Sequence, residues 1–337
     1  MQLNFSSLKN LLSVPKNIVL TSHTNPDGDA VGASLAMFLF LSDQGFNVSV
    51  ILPNAFPDYL AWMEGSNKVI LYDKETAKCD QLMAEADILF SLYYNHPNRI
   101  GDAEQAFVHS KAKKVLIDHH IQPRLEAYDL AFSTVETSST SELVFDCIMQ
   151  LQPSGLSKAV AECIYAGIMT DTGSFSYACN SEKTFRIVAD LYKAGINGVK
   201  INRMVYNTFS ESRLRLLGYA LSEKLKVLPQ FATAYISLTL DELNRFNYQV
   251  GDTEDVVNYA LSIKGVRFAA MFIESDKKIR VSLRSVGDFK VNTFAREHFE
   301  GGGHKNAAGG DSYISMQKTL EKFEQLLPLY QNELTEK

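Results

Sequence analysis

Short apolar stretches alternate with longer amphipathic stretches through the first half of the chain. Asn17 to Ser22 is predicted to be a buried strand, and Asp29 to Gln44 a helix that Gly45 ends, since glycine readily adopts the left-handed conformation. Further strands are predicted at 47–52, 87–92 and 114–117, with helices near 75–85, 101–110, 138–151 and 157–168. This alternation is typical of a parallel, doubly wound α/β sheet, in which ligands bind beyond the carboxyl ends of the strands.

The second half of the chain has a different pattern. Residues 183–223 are polar and helical in character, and they precede three apolar strands and a helix, predicted at 231–238, 266–274, 278–283 and 315–327. Pro328 is expected to end that helix, because proline disrupts helical hydrogen bonding. The pattern therefore predicts a second, smaller α/β domain. We place the first domain at 1–185, a helical linker at 186–222 and the second domain at 223–337.

Length and composition agree with two folded domains and narrow the function. A chain of 337 residues with 46% hydrophobic and 21% charged residues is larger than one ordinary core and has the composition of a globular protein. Its formal net charge of −6 argues against coating long nucleic acid, because that affinity comes mainly from Lys and Arg. A short anionic substrate is compatible with this charge.

Two further features concern the compartment. The longest apolar run, 31–41, is too short to cross a membrane, and the start of the chain lacks the pattern of a signal peptide. The four cysteines lie far apart and form no CxxC pair, which predicts reduced, structural thiols rather than a zinc site. We therefore expect a soluble, cytoplasmic protein.

The first candidate site follows the first predicted strand, where residues 23–30 read HTNPDGDA. The imidazole of His23 and the carboxylates of Asp27 and Asp29 are nitrogen and oxygen ligands that suit Mn²⁺ or Mg²⁺. Capping of the following helix is an equally good interpretation of the two aspartates, which favour such positions. The spacing leaves both interpretations open.

Two further candidates follow later elements. Asp118-His119-His120 comes directly after the fourth predicted strand, at the sheet edge where the first candidate also ends. Adjacent side chains point in different directions, so one histidine can face a metal while the other faces something else; an ordinary surface or core pair is the alternative. Asp171 follows the apolar segment 163–169, where a carboxylate serves either as a helix cap or as a metal ligand.

Glycine and arginine form a candidate phosphate-binding group in the second domain. Gly301, Gly302 and Gly303 precede His304, and consecutive glycines allow backbone N–H groups to approach phosphate oxygens closely. Arg284, beside Ser285 near the end of an earlier strand, offers a bidentate clamp for the same kind of anion. A plain flexible loop is the alternative for the glycine triplet.

Together these motifs resemble those of the DHH–DHHA1 phosphoesterase family. The resemblance covers nearly the whole chain and rests on four motifs in order: HxNPDxDA at 23–30, DHH at 118–120, DTG at 171–173 and GGGH at 301–304. It implies a Rossmann-like, parallel-sheet DHH domain that a helical linker joins to a smaller α/β DHHA1 domain. The family members of similar length are bacterial oligoribonucleases (nano-RNases) and phosphatases of 3′-phosphoadenosine 5′-phosphate (pAp).

The resemblance implies a metal centre in the first domain. His23 and Asp27 are expected to hold one Mn²⁺ ion, and Asp29, His119 and Asp171 are expected to hold a second. Mg²⁺ is the alternative ion. A pair of ions of this kind would activate a shared water for attack on phosphorus and would neutralise charge on the phosphate oxygens.

The resemblance also implies catalytic and substrate-binding residues. His120, together with Asp118, is expected to be catalytic and to face the scissile phosphate, where it would stabilise charge or protonate the departing oxygen. In the second domain, Arg284, Ser285 and the segment Gly301 to His304 are expected to hold the phosphate or nucleotide of the substrate.

The chain departs from the family pattern at Tyr93. The family has an aspartate at the end of the third strand that bridges both metals, and Tyr93 stands at that position, directly after the apolar residues 88–92. A phenol, with an ordinary pKa of about 10, is neutral at pH 7, offers one oxygen and is bulkier, so at least one metal is expected to bind more weakly. Asn95 and His96 lie nearby and are weaker candidate ligands.

Two functions from different classes follow. The first is metal-dependent hydrolysis of short oligoribonucleotides, of pAp, or of both. The second is a nucleotide-binding protein in which Tyr93 has weakened or abolished turnover. The expected partners are therefore short oligoribonucleotides or mononucleotides, without long duplex nucleic acid or a membrane, and a homodimer is compatible with the sequence.

Overall fold

The computed structural model describes residues 3–14, 16–177 and 179–335, and it divides into two compact units between Thr208 and Phe209. Unit 1 contains eight α-helices and six β-strands within these described residues. They are α1 (Ser6–Leu11), β1 (Asn17–Thr21), α2 (Gly28–Asp43), β2 (Asn47–Leu52), β3 (Ile70–Leu71), α3 (Thr76–Glu85), β4 (Ile88–Leu92), α4 (Glu104–His109), β5 (Lys113–Asp118), β6 (Leu130–Ser133), α5 (Thr140–Leu151), α6 (Lys158–Asp171), α7 (Glu182–Lys193) and α8 (Gly198–Tyr206).

The strands of unit 1 form one parallel sheet in the order β3-β2-β1-β4-β5-β6. Every pair in it is parallel, with Ile18 opposite both Val48 and Ile88. Parallel strands at the centre of such a sheet are buried on both faces, and all five residues of β4 are buried. The predicted doubly wound α/β domain is confirmed.

The two faces of this sheet carry separate cores. Ile18, Leu20 and Phe90 pack with α2, α5 and α6 on one face. Val19 and Leu89, the alternate residues of the same strands, pack on the other face against Met83 of α3 and Phe107 of α4. Alternation along the strands therefore places helices on both sides and fixes which strand ends meet at the same edge.

Unit 2 forms a second, mixed sheet. Its elements are α9 (Glu211–Tyr219), β7 (Leu225–Leu228), β8 (Thr233–Leu238), α10 (Leu240–Arg245), α11 (Val256–Leu261), β9 (Phe268–Glu274), β10 (Ile279–Ser285), α12 (Val291–His298), β11 (Gly302–Gly303), β12 (Ala307–Ser312), α13 (Met316–Leu326) and α14 (Gln331–Thr335). The strand order is β11-β12-β10-β9-β8-β7, in which only β8 and β9 pair in parallel. The predicted second α/β fold is confirmed, and its three predicted strands correspond to β8, β9 and β10.

Within the described ranges of the chain, no helix combines the length and apolarity that crossing a bilayer requires.

Candidate metal centre

The predicted ligands of the first unit, apart from Asp171, follow the carboxyl ends of neighbouring strands. The segment 23–29 follows β1, Tyr93 follows β4, and residues 118–120 end β5 and continue beyond it. Because β4 lies between β1 and β5 in a parallel sheet, all three loops leave at the same edge. Asp171 is the last residue of α6, a helix that packs against α2.

Three of the predicted ligands form one compact group. Ligand atoms of Asp29, His119 and Asp171 all lie within 4.8 Å of one another, and His119 Nε2 is 3.2 Å from Asp171 Oδ2. Asp29 and His119 are buried, whereas Asp171 is half-buried and opens the group to solvent. Two carboxylates and one imidazole at this spacing are a suitable ligand set for one divalent ion.

Asp29 is held by the start of helix α5. Its Oδ2 accepts a hydrogen bond from the Thr140 backbone N–H at 2.6 Å, and its Oδ1 accepts one from the Ser141 N–H at 2.8 Å. Burial raises the pKa of Asp29 to about 7, and the charge of Asp27 adds to the rise, although these hydrogen bonds oppose it. A divalent ion beside this carboxylate would offset the cost of burying its charge.

A glycine makes this arrangement possible. Gly167 of α6 faces the same point, and a Cβ built on it would lie 1.9 Å from Ser141 Oγ and 2.9 Å from Asp29 Oδ1. The helix predicted at 138–151 corresponds to α5, but the supporting roles of Gly167 and of the start of α5 were not predicted. The local signal at that start is the S-x-x-E pattern of Ser139 and Glu142, in which Ser139 Oγ accepts from the Glu142 N–H.

His23 and Asp27 form a second pair. Nδ1 of His23 contacts the Thr24 carbonyl oxygen at 2.7 Å, while its buried Nε2 has no hydrogen-bond partner among the described residues and lies 4.0 Å from Asp27 Oδ2. The other oxygen of Asp27 caps α2 by accepting from the N–H groups of Asp29 and Ala30. Asp27 is therefore both a helix cap and a neighbour of a ligand-like imidazole, so its two interpretations are compatible.

Strained backbone follows Asp171 directly. Gly173, Ser174 and Phe175 have φ values of 52°, 56° and 64°, all in the left-handed region. The turn is held by Thr172, whose Oγ1 accepts from the Phe175 N–H at 3.0 Å. Non-glycine residues in this conformation cost free energy and concentrate at functional sites. The contacts around the end of α6 must therefore hold this turn against its strain.

Tyr93 lies in the middle of the candidate centre. Its buried ring centroid is 5.2 Å from that of His23, 5.3 Å from that of His119 and 4.9 Å from that of His120. Its hydroxyl donates to Asp171 Oδ1 at 3.1 Å, and its backbone is left-handed with φ of 65°. Burial and the negative charges of nearby aspartates, Asp171 foremost, raise the pKa of Tyr93 well above its ordinary value. The phenol is therefore neutral and behaves as a donor toward Asp171.

The donor set fits one divalent ion better than two. A divalent cation would give the buried Nε2 of His23 a partner and would offset the burial that raises the pKa of Asp29. Asp29, His119 and Asp171 supply three ligands for an ion, whereas His23 and Asp27 supply only two and share no carboxylate with the others. The phenol of Tyr93 lies between the two sets, against the rings of His23 and His119.

His120 is oriented by Asp118. Asp118 is fully buried; its Oδ1 is 2.7 Å from His120 Nδ1, and its Oδ2 accepts from the His120 backbone N–H. Burial lowers the pKa of His120 to about 3, and the positive charge of Arg99 lowers it further. The ring is thus neutral at pH 7, with Nδ1–H directed at Asp118.

Asn95 and His96, the weaker candidate ligands, are engaged elsewhere. Asn95 Nδ2 donates to the Ile121 carbonyl at 2.7 Å, and His96 Nδ1 accepts from the Asn98 N–H. Among the described residues, His96 belongs to no group of three or more His, Cys, Asp or Glu ligand atoms.

The glycine triplet of the second unit belongs to a hairpin and is not a flexible loop. Gly302 and Gly303 form β11 and pair with Gly309 and Ala308 of β12. A Cβ on Gly301 would lie 2.0 Å from the Gly309 carbonyl oxygen, so that position tolerates only glycine without a backbone shift. At Gly302 a Cβ would meet open space.

The other predicted substrate-binding residues lie at and beside this hairpin. His304 begins its turn, where its N–H donates to the Ala307 carbonyl oxygen. Arg284, in β10, pairs with Ala307, and its guanidinium donates only to the Leu283 carbonyl oxygen in the described chain. Ser285 is buried and its hydroxyl donates to the Phe289 carbonyl oxygen. Arg284 is thus available for an anion, whereas the Ser285 hydroxyl already has a partner.

Comparisons with known proteins found two family models that match successive parts of the chain. A model of the DHH family, N-terminal domain, matches residues 17–168, and a model of the DHHA1 domain matches residues 229–332. The bifunctional oligoribonuclease and PAP phosphatase NrnA of Bacillus subtilis is 27% identical over 305 residues, covering 90% of this chain and 91% of that protein. A probable protein of the same description from Streptococcus mutans is 30% identical and covers 88% and 89%.

A solved structure is also similar over almost the full length. The exopolyphosphatase-related protein of Bacteroides fragilis superposes with a TM-score of 0.93 at 44% identity, covering 98% of this chain and 97% of that one.

Proposed function

Since this chain belongs to the DHH family and carries a DHHA1 domain, we propose that it is a metal-dependent phosphoesterase for short oligoribonucleotides, pAp, or both. One observation carries the proposal: Asp29, His119 and Asp171 converge within 4.8 Å of one another. The Asp118–His120 pair adjoins them, with the His119 and His120 ring centroids 5.1 Å apart. The similarity to NrnA proteins supports the substrate class.

The metal ligands would come from the first domain. Asp29, His119 and Asp171 would hold one ion, and His23 with Asp27 would contact a second and weaker one. We propose Mn²⁺, with Mg²⁺ as the alternative, because carboxylate and imidazole ligands suit these ions. When bound, such ions supply Lewis-acid activation of water and neutralise negative charge on phosphate.

His120 would transfer the proton that the departing oxygen needs. Its Nδ1–H is directed at Asp118, so Nε2 presents a lone pair to the site in the neutral ring. The Asp118 carboxylate would stabilise the imidazolium that forms when Nε2 takes up a proton, as a buried aspartate does for a catalytic histidine. His120 would then return this proton to the departing oxygen of the phosphoester.

The second domain would bind the remainder of the substrate. We assign the metal chemistry to residues 1–185 and substrate binding to 223–337, joined by the linker 186–222. Arg284 has a guanidinium with no carboxylate partner among the described residues, which suits a phosphate. Gly302 leaves open space above its backbone, where a nucleotide can approach closely.

The free and buried cysteines agree with a cytoplasmic protein.

A second candidate function is nucleotide binding without efficient turnover. The observation that favours it is Tyr93, whose neutral phenol donates to Asp171 and fills the space between three imidazoles. A phenol in this state does not bridge two cations as a carboxylate does. The chain would then retain its substrate site while hydrolysing slowly.

Product release with Mn²⁺ tests the first function against the second. The full chain and Tyr93→Asp are each incubated with pAp and with an RNA dinucleotide, and released phosphate and mononucleotide are measured. Turnover by the unmodified chain at the rate of Tyr93→Asp excludes the second function. Turnover by Tyr93→Asp alone favours it, and turnover by neither contradicts the proposed hydrolase.

A further inference from the structure

Arg99 is a half-buried cation that the proposed mechanism does not use. It lies on the 3₁₀ turn Pro97–Ala103, which follows β4 and Tyr93. Its guanidinium makes no hydrogen bond or ion pair with any residue in the described ranges 3–14, 16–177 and 179–335. A partly buried positive charge without a counter-ion is costly, so such a group usually has a ligand.

Backbone contacts fasten this turn to the metal-binding loop. The Thr24 N–H, next to His23, donates to the Arg99 carbonyl oxygen at 2.8 Å. Gly101 allows the close approach, because its φ is 58° and a Cβ there would lie 3.0 Å from Thr24 Cγ2. Arg99 is therefore held beside the candidate centre by its own backbone.

The charge of Arg99 acts on two histidines from different loops. Burial is the main cause that lowers the pKa of His120, and the Arg99 charge is the next. Burial is also the main cause that lowers the pKa of His23; the charge of Asp27 opposes it, and the Arg99 charge adds to the lowering. The turn that carries Arg99 is bonded through its backbone to Thr24, next to His23, and the His23 and His120 rings lie 5.2 and 4.9 Å from the Tyr93 ring between centroids, so this turn adjoins the side of the centre where the two histidines meet.

The neighbouring Arg124 provides a contrast. Its Nε donates to Glu126 at 3.0 Å, and its Nη1 lies 3.5 Å from His96 Nε2. The charge of Arg124 is thus balanced by a carboxylate on its own loop, whereas that of Arg99 is not. The two arginines lie on adjoining loops, because the Arg124 N–H donates to the Asn95 carbonyl oxygen.

We propose that Arg99 binds the phosphate group that faces His120, through hydrogen bonds from its guanidinium to non-bridging phosphate oxygens. The identification of that phosphate as part of a nucleotide rests on the proposed function; the existence of an anion site at Arg99 does not. Guanidinium matches phosphate geometry with paired N–H donors, and its hydrogen bonds to such oxygens are charge-assisted. Arg99 would add fixed positive charge to a site whose other positive charge comes from bound cations.

Equilibrium binding tests the proposal without requiring turnover. Binding of pAp and of inorganic phosphate to the full chain is measured by calorimetry in Mn²⁺, for the unmodified chain, Arg99→Gln, Arg99→Lys and the control Arg124→Gln. Arg99→Gln is expected to weaken both ligands by about 10- to 100-fold, because charge-assisted hydrogen bonds are lost. Arg99→Lys is expected to weaken them less, and Arg124→Gln to change them less than about twofold.

Mn²⁺ affinity, measured separately on each variant, is expected to stay within about twofold, since Arg99 contacts no metal ligand by hydrogen bond. Binding by Arg99→Gln within twofold of the unmodified chain overturns the proposal, as does equal weakening in Arg124→Gln. Absence of phosphate binding by the unmodified chain overturns it too. Should Arg99→Gln not fold, the comparison of Arg99→Lys with Arg124→Gln decides in the same way.

The two proposals fail in different ways. Arg99-dependent binding of inorganic phosphate together with no binding of pAp or of an RNA dinucleotide supports the anion site and contradicts the nucleotide substrate. Binding and turnover of pAp that are the same in Arg99→Gln as in the unmodified chain support the proposed function and overturn the role of Arg99.

Discussion

The Tyr93 hydroxyl donates a hydrogen bond to Asp171 Oδ1 at 3.1 Å, so a neutral phenol occupies one oxygen of a candidate metal-ligand carboxylate at the centre of the site. A cation that binds Asp171 competes with this hydrogen bond. The raised pKa of Tyr93, caused by burial and by the aspartates around it, means that the phenol does not readily become a ligand itself.

Tyr93→Asp is expected to strengthen Mn²⁺ binding and to raise the rate of pAp hydrolysis. The new carboxylate would be adjacent to His23, His119 and Asp171, and it would supply the shared ligand that the present site lacks. We expect a gain of about 10- to 100-fold in Mn²⁺ affinity, the scale of one charge-assisted ligand. Titration followed by electron paramagnetic resonance of free Mn²⁺ measures it.

Tyr93→Phe is the matched control, because it keeps the ring and removes only the hydroxyl. It should leave Mn²⁺ binding within a few fold of the unmodified chain, since one hydrogen bond to Asp171 is lost and no ligand is gained. If Tyr93→Phe raised the affinity as much as Tyr93→Asp, the hydroxyl, and not the missing carboxylate, would limit metal binding.

Gly167→Ala is expected to damage stability and metal binding together. The new Cβ would lie 1.9 Å from Ser141 Oγ and 2.9 Å from Asp29 Oδ1, which forces the start of α5 away from its carboxylate partner. Overpacking of this kind costs about 1–3 kcal/mol. Urea unfolding and Mn²⁺ titration are the two measurements, and Mn²⁺ affinity should fall with stability.

Gly218→Ala is the control for that substitution. Gly218 lies in α9, and a Cβ there meets no atom within 4 Å. Replacing an exposed helical glycine by alanine should stabilise the chain by about 0.5–1 kcal/mol without affecting Mn²⁺. Equal effects of the two substitutions would contradict the role given to Gly167.

The fold of the first unit was accessible from the sequence because its signals are local. The runs at 17–22 and 87–92 contain the continuously apolar segments 18–20 and 88–90, as central parallel strands do, and the polar residues after them mark the ligand edge. β6, with its short 130–133 segment, was not predicted, because an edge strand carries a weaker apolar pattern.

The hydrogen bonds and close packing that hold the candidate ligands could not be predicted from the sequence, because they join residues that are distant along the chain. Asp29 accepts from Thr140 and Ser141, more than a hundred residues later, and nothing in the local pattern joins them. Gly167 resembles any helical glycine until α2, α5 and α6 are packed together. The strand pairing of Gly302 and Gly303 was missed for a related reason: glycine has no side chain, so a strand made of it leaves no hydrophobic period.

Asp171→Asn should abolish the thermal stabilisation that Mn²⁺ provides. An ion that binds only the folded chain stabilises it by about 2.7 kcal/mol at a concentration one hundred times its Kd. Removing a carboxylate from the Asp29–His119–Asp171 group should reduce that shift to near zero at the same Mn²⁺ concentration. Differential scanning calorimetry with and without Mn²⁺ measures the change in Tm.

Asp190→Asn serves as the control, since Asp190 pairs with exposed Lys193 on α7 and belongs to no cluster of ligand atoms in the described residues. Its Mn²⁺-induced change in Tm should equal that of the unmodified chain. A full shift in Asp171→Asn would remove Asp171 from the metal centre.

Acid should weaken the second unit through Glu242, which completes a capping box at the start of α10. Its Oε2 accepts from the Thr239 N–H, and its Oε1 accepts from Lys224 and Tyr219. Although burial opposes it, these hydrogen bonds lower the pKa of Glu242 to about 2. The folded pKa is below the unfolded value of about 4.3, so the stabilisation is complete above that value and is lost as pH falls toward 2.

Glu242→Gln should therefore lower the free energy of unfolding by about 1–2 kcal/mol at pH 7, where the charged carboxylate is stabilising, and by much less at pH 2.5. Glutamine keeps the size of the side chain and part of the capping interaction, so the difference isolates the charge. Urea titrations of both chains at the two pH values give the comparison. A loss of stability that is the same at pH 7 and pH 2.5 would assign the effect to packing and would contradict the lowered pKa.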